Sequence, residues 1–338
     1  MTSSGSFSNK VVLVAGGAGF IGSHLVDKLL LEAPEKIVVV DNLYLGQTEN
    51  LPKSALVRLY KRDLCQKDEL AKIIKEENID LAYNLAVHPV VRSLEFPEST
   101  YWNNVQSVLN LCELQRQDLY HTLIHFSSSE AYGTALRVPM REDHPLNPMH
   151  PYGASKAAGD QLILAYRNAY GTDSVIVRPF NTYGPKQNRE GGYVAVIPMT
   201  ICRILEGQKP ILHGDGRQTR DLTYVTDIVE GALRVYTCKS TRGKVINLSS
   251  GNEVAIRDLI EKICDLMNWK GGIYTAPRRQ GDVTKHCGDN NLARTLIKWK
   301  PTVTLMKGLQ KTIEYYRQTP PETNPASKPD RTSHMNSI

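Results

Sequence analysis

Gly16-Gly17-Ala18-Gly19-Phe20-Ile21-Gly22 follows directly on the apolar run Val11-Val12-Leu13-Val14, and a second apolar run, Ile37-Val38-Val39-Val40, ends on Asp41. The glycines at 16, 19 and 22 have distinct tasks in a turn from strand to helix. The first permits the tight turn, the second lets backbone approach a pyrophosphate, and the third lets the helix pack against the strand. A pyrophosphate placed there sits on a helix N-terminus, where free N–H groups and the helix dipole favour an anion. Three surroundings separate this run from a chance glycine turn: a strand before it, an amphipathic helix after it over 23–31, and an acid closing a second strand about 20 residues on. The carboxylate of Asp41 can accept from both ribose hydroxyls and would repel a 2′-phosphate. The expected ligand is therefore NAD rather than NADP, held by Gly16, Gly19, Phe20, Ile21, Gly22, Asp41 and its neighbour Asn42.

Beyond the glycine turn, apolar β-branched runs at 11–14, 37–40, 56–60, 81–85, 122–127 and 175–178 alternate with segments of helical periodicity. That alternation predicts an α/β fold with a doubly wound parallel sheet of the Rossmann type. After Pro185 the texture changes to shorter elements punctuated at Gly191-Gly192, Pro198, Gly207, Pro210 and Gly214-Asp215-Gly216. The expected division is an NAD-binding domain over 1–185, which a segment near 220–250 rejoins, and a smaller α/β substrate-binding region over 186–318. The tail over 319–338, rich in proline and polar residues, has too little apolar surface to order itself.

The 338 residues suffice for one large or two smaller domains with a substantial core. No apolar run approaches the roughly 20 residues of a helical membrane span, and the first residues lack the apolar core of a secretory signal. A soluble, cytoplasmic protein is the expectation. The cysteines at 65, 112, 202, 238, 264 and 287 stand singly, without metal-ligand spacing, and read as reduced thiols. The formal net charge is +6, yet Lys and Arg are dispersed among acids, so the excess suits an anionic small substrate and not nucleic acid.

Tyr152-Gly153-Ala154-Ser155-Lys156 puts a phenol and an ammonium one turn apart on one helix face. A neighbouring positive charge favours phenolate. Lys156, helped by a cationic nicotinamide, is expected to draw the Tyr152 pKa toward neutrality and make it a general base. Ser127-Ser128-Ser129-Glu130 follows the apolar strand Leu123-Ile124-His125-Phe126, at the strand end that faces the ligand crevice in an open α/β sheet. A hydroxyl there can share the reacting proton with Tyr152. Glu130 is the more pointed residue, because a carboxylate in such a crevice must accept hydrogen bonds or exchange protons. His125, inside an apolar strand, reads as a core histidine, and neither it nor His88 enters the chemistry.

Together with Asp63-Leu64, the run Arg178-Pro179-Phe180-Asn181-Thr182-Tyr183-Gly184-Pro185 and the run Arg220-Asp221-Leu222-Thr223-Tyr224-Val225, these motifs resemble the extended short-chain dehydrogenase/reductase family of nucleotide-sugar epimerases and dehydratases, from about residue 10 to about 316. The resemblance implies tightly held NAD, a nucleotide diphosphate-sugar substrate and a homodimer built through a four-helix interface. It implies that Asp63, Leu64 and Leu85 join the cofactor contacts, that Asn104 helps to place active-site backbone, and that Ser128, Tyr152 and Lys156 form the catalytic set. Ser128, Ser129, Asn181, Val196, Arg220 and Arg279 would hold the sugar nucleotide. The segment 193–198 resembles the one that lies along a uridine. Two positions depart from the family pattern: Ala15 stands where a threonine is usual, and Asn84 where a histidine is.

The motif Ser-Ser-Ser-Glu-Ala-Tyr-Gly over 127–133 is similar to that of the 4,6-dehydratases, with Ser129 where thymidine-sugar members carry aspartate. Glu130 would then take the C5 proton and also assist departure of the C6 hydroxyl. The expected activity is a 4,6-dehydratase, a lyase acting on a UDP-hexose. UDP-glucuronate decarboxylase and UDP-sugar 4-epimerase are the alternatives of the same family. A catalytically silent NAD-binding regulator is the alternative of another class, and an intact set of Ser128, Tyr152 and Lys156 argues against it.

Overall fold

The computed structural model describes residues 7–189, 195–278 and 283–319. Strands β1 (Val11–Ala15), β2 (Lys36–Val40), β3 (Val57–Tyr60), β4 (Leu81–Asn84), β5 (Thr122–Phe126) and β6 (Asp173–Pro179) form one parallel sheet with the strand Val245–Leu248. Its order is Val245–Leu248, β6, β5, β4, β1, β2, β3. From β1 the chain winds outward through β2 and β3, then returns to lay β4 on the other side of β1. That reversal opens a crevice beyond the carboxyl ends of β1 and β4, where open α/β sheets bind ligands.

The strands read as nearly unbroken apolar runs because helices cover both faces. Helices α1 (Phe20–Leu30), α2 (Lys67–Glu77), α3 (Val90–Glu95), α4 (Pro97–Arg116) and α5 (Pro151–Tyr170) come from the first half of the chain. Then follow α6 (Val196–Leu205), α7 (Val225–Thr237), α8 (Ile256–Leu266), α9 (Asn291–Ile297) and α10 (Leu305–Gln318). The period-two alternation of a strand divides β1 between two cores. Val12 and Val14 pack with Leu25 and Leu29 of α1 and Ile228 and Ala232 of α7, whereas Leu13 packs with Ile73 of α2, Leu111 of α4 and Ile163 of α5. A third core, built on Ile201, Leu259, Ile260, Leu309 and Ile313, joins α6, α8 and α10.

Helix α1 begins at Phe20, directly on the glycine turn and three residues earlier than its apolar periodicity indicates. The segment near 220–250 supplies α7 and the strand that pairs with β6, and Ala293, Ile297 and Trp299 from α9 and beyond enter the same core. The region after Pro185 is thus interleaved with the sheet. The sequence run 193–198 lies partly, and the tail over 320–338 entirely, outside the described residues. Among the described residues no helix is long and apolar enough to cross a membrane.

Candidate active site

Gly16 adopts φ +75, and a Cβ there would come within 2.7 Å of the Ala86 nitrogen. A Cβ on Gly22 would come within 2.2 Å of the Gly16 carbonyl oxygen, so the third glycine is what lets α1 close against the turn. Gly19 differs from both: its nearest neighbour would be the Gly16 oxygen at 3.2 Å, and the space around it otherwise opens away from protein. Helix α1 has no acid in its first turn and no side-chain cap, which leaves its first N–H groups for a ligand. These features fit a pyrophosphate at the mouth of a cleft of about 870 Å³ that Gly16, Gly19, Phe20, Ile21 and Gly22 line.

Asp41, Asn42, Asp63, Leu64 and Leu85 line the same cleft. The Asp41 carboxylate accepts from the Ala18 N–H at 3.0 Å and the Leu43 N–H at 2.8 Å, one on each oxygen, which fixes its orientation and leaves further lone pairs. Burial raises its pKa, and the two N–H groups oppose that. Asn42 donates to Asp63 at 3.0 Å, and Asn110 donates to the carbonyls of Leu64 and Cys65 at 2.7 and 3.0 Å. One end of the cleft is thus built from a connected loop pair.

At the other end Ser128, Glu130, Tyr152 and Lys156 come together on the cleft wall. Pro151 opens α5 with the φ a first helical residue needs, and Tyr152 and Lys156 follow on its inner face. Lys156 is 4% exposed and donates from Nζ to the Phe126 carbonyl at 2.5 Å, which ties the helix to the end of β5. Asn104 of α4 ties the backbone after β4 to α5, accepting from the His88 N–H at 2.7 Å and donating to Ser155 at 2.9 Å. In the protein alone burial pushes the Tyr152 phenol up to about 12, with Ser128 lowering it and Glu130 raising it, while the Lys156 ammonium is engaged with Phe126. Burial brings Lys156 itself down to about 8.

Ser128 is extended and caps the short turn Ser129–Ala131, its Oγ accepting from the Glu130 N–H at 3.2 Å. Glu130 lines the large cleft and a second cavity of about 250 Å³, and Asn181 does the same. Burial alone would raise the Glu130 pKa, but the hydrogen bond from His150 and the neighbouring His286 and Arg220 outweigh it and bring it to about 2. Glu130 is therefore an ionised carboxylate at neutral pH.

Val196, at the start of α6, and Arg220 line the second cavity, and Arg220 donates to the carbonyls of Thr219 and Val283 at 2.8 and 2.7 Å. Ser129 is buried on the large cleft, and its carbonyl oxygen accepts from His286 Nε2 at 3.1 Å. Arg279 lies outside the described residues. Asn84 is buried, donates to His125 Nδ1 at 3.2 Å, and accepts from the Ala86 N–H at 3.2 Å. His125 is thus a core residue.

Two site histidines escaped sequence reading. His150 caps α5 and bonds Glu130, and His286 links Asn181 at 3.3 Å to the Ser129 backbone. His150 carried a usable signal, since it directly precedes a proline at a helix start. His286 carried none, because it arrives from a loop far along the chain.

Residues 13–312 match the family model described as GDP-mannose 4,6 dehydratase. The chain is 34% identical to a putative UDP-glucose 4-epimerase of Methanocaldococcus jannaschii over 91% of this chain and 98% of that protein. It is 30% identical to human dTDP-D-glucose 4,6-dehydratase over 93% of this chain and 91% of that one. The crystal structure of DesIV, a dTDP-glucose 4,6-dehydratase of Streptomyces venezuelae with NAD and TYD bound, superposes with TM-score 0.86 at 28% identity, covering 91% of this chain and 97% of that one. With a glycine turn open to a dinucleotide and a Ser-Tyr-Lys set facing it, the chain belongs to the extended short-chain dehydrogenase/reductase family of nucleotide-sugar epimerases and dehydratases.

Proposed function

We propose that the protein is an NAD-dependent 4,6-dehydratase of a nucleotide diphosphate-hexose, with uridine as the nucleoside. The observation that carries this reading is the placement of Glu130, a carboxylate that lines both cavities and shares the larger one with Tyr152. Gly16, Gly19, Gly22 and Asp41 hold NAD, and bound NAD supplies the reversible hydride acceptor. Tyr152 takes the C4 hydroxyl proton with Ser128 sharing the hydrogen bond. At about 12 its phenol needs cationic charge beside it to act, which is the task of Lys156 and of the oxidised nicotinamide. The C4 ketone acidifies the neighbouring C5 hydrogen. Glu130 takes that proton and passes it to the C6 hydroxyl, which leaves as water; the hydride first removed from C4 is then delivered to C6, and a proton from solvent is added at C5. Asn181, Arg220 and Arg279 bind the sugar nucleotide, the arginines by forked donation to phosphate.

A 4-epimerase is the second reading, favoured by the 34% identity to a putative UDP-glucose 4-epimerase. It leaves Glu130 without a task, because a ketone that only turns over needs no base at C5. Decarboxylation of a glucuronate needs none either, since a β-keto acid loses carbon dioxide readily. Mass spectrometry after incubation with uridine-, thymidine- and guanosine-diphosphate hexoses and UDP-glucuronate separates the three. Loss of one water from a hexose is the expected result. An isomer of unchanged mass, or loss of carbon dioxide from the glucuronate alone, would overturn the assignment.

A further inference from the structure

His150 stands at the entry to α5 with both ring nitrogens engaged. Its Nδ1 accepts from the Gly153 N–H at 3.1 Å, and its Nε2 lies 3.2 Å from Glu130 Oε2. A nitrogen that accepts from a backbone N–H carries no proton of its own. The ring is thereby fixed as the Nε2–H tautomer, and Nε2 donates to Glu130. The same side chain thus caps the helix that carries Tyr152 and holds the carboxylate opposite. Glu130 Oε1 takes no hydrogen bond among the described residues, and the Glu130 side chain keeps 18% exposure toward the cavities.

We infer that His150 is a positioning residue: by donating Nε2–H to Glu130 Oε2 it directs the sugar's C5 proton to Oε1 and speeds its onward transfer to the C6 hydroxyl. This rests on the dehydratase reading. When the C5–H bond breaks, its electrons remain in the enolate and the proton goes to Oε1. When the C6–O bond breaks, that proton leaves with the hydroxyl as water and C5–C6 becomes a double bond. A carboxylate already accepting at Oε2 holds an added proton weakly, so it is a modest base toward C5 and a strong acid toward C6. With Ser129 neutral and no aspartate beside Glu130, one carboxyl group has to serve both steps, and the histidine sets the balance between them. The charged and titratable groups around this carboxylate are His150 and Tyr152 of α5, His286 of the 283–289 loop and Arg220 of the strand Thr219–Asp221. Of these only His150 makes a hydrogen bond to it.

His150→Asn and His150→Ser both supply an oxygen that can cap α5 in place of Nδ1 but are too short to bridge to Glu130. The full-length variants are incubated with the hexose substrate in deuterium oxide, and two products are counted: recovered substrate labelled at C5, and dehydrated sugar. The expected result is a rise of about tenfold in C5 label relative to dehydration, the factor one pKa unit of acid strength carries, with kcat lowered and KM near the parental value. A merely structural role would lower both products together. A parental ratio in both variants overturns the inference about His150. If the parent itself neither loses water nor labels C5, the dehydratase reading is what fails.

Discussion

Tyr152→Phe is expected to lower turnover by about 10³-fold while the protein still folds and still binds the sugar nucleotide. The ring packs at 5.9 Å from His150 at the start of α5, and phenylalanine retains that packing. In the proposed mechanism, what disappears is the phenol that takes the C4 proton. Because the hydroxyl matters chiefly while the proton is in flight, the loss falls on kcat more than on KM. Steady-state kinetics beside calorimetric binding of the nucleotide sugar would read this directly. Turnover within about tenfold of the parent would remove Tyr152 from the mechanism.

The largest effect on stability is expected from Arg178→Met. Behind the catalytic helix, Asp160 Oδ2 accepts from Arg178 Nη2 at 2.5 Å and from Ser127 Oγ at 2.7 Å, and the two charged side chains are only 2% and 1% exposed. The Arg178 guanidinium lies 4.3 Å over the Tyr132 ring, and Tyr132 donates to Asn247 at 2.9 Å on the outermost strand of the sheet. Methionine fills much of the volume but leaves the Asp160 carboxylate buried without its cation. Removing one member of such a pair costs about 3–5 kcal/mol. For a domain of this size that is a fall on the order of 10 °C in melting temperature. Differential scanning calorimetry on Arg178→Met, with Arg178→Met/Asp160→Leu beside it, checks the cause. The double variant, which removes both charges, should recover part of the loss, and a double variant no more stable than the single one would mean that packing and not the unpaired charge is responsible.

The glycine turn, β1 to β6 and the Tyr152–Lys156 pair were legible because each rests on a pattern within one short stretch, whereas Ser128 came with them through the family resemblance. The strand Val245–Leu248 was not: Asn247 interrupts its short apolar run, and it finds its place by pairing with β6. His286 was hidden for a related reason, since it is defined by contacts with Asn181 and Ser129 that no local pattern encodes. The surroundings of Tyr152 were legible only in part. Spacing puts Lys156 one turn away, but it does not report burial, nor that the ammonium also donates to the Phe126 carbonyl. Asn84, a departure from the family pattern, turned out to brace His125 and the Ala86 backbone, which explains how the β4 end holds its shape without the usual residue.

The path of one hydrogen decides the chemistry. A hexose substrate carrying deuterium at C4 is converted by the parent protein, and the product is read by nuclear magnetic resonance. Deuterium on the C6 methyl of a 4-keto-6-deoxy sugar is the expected result, since the hydride removed at C4 can reach C6 only after Glu130 has helped water to leave. Deuterium still on C4, in a sugar of unchanged composition, would contradict it.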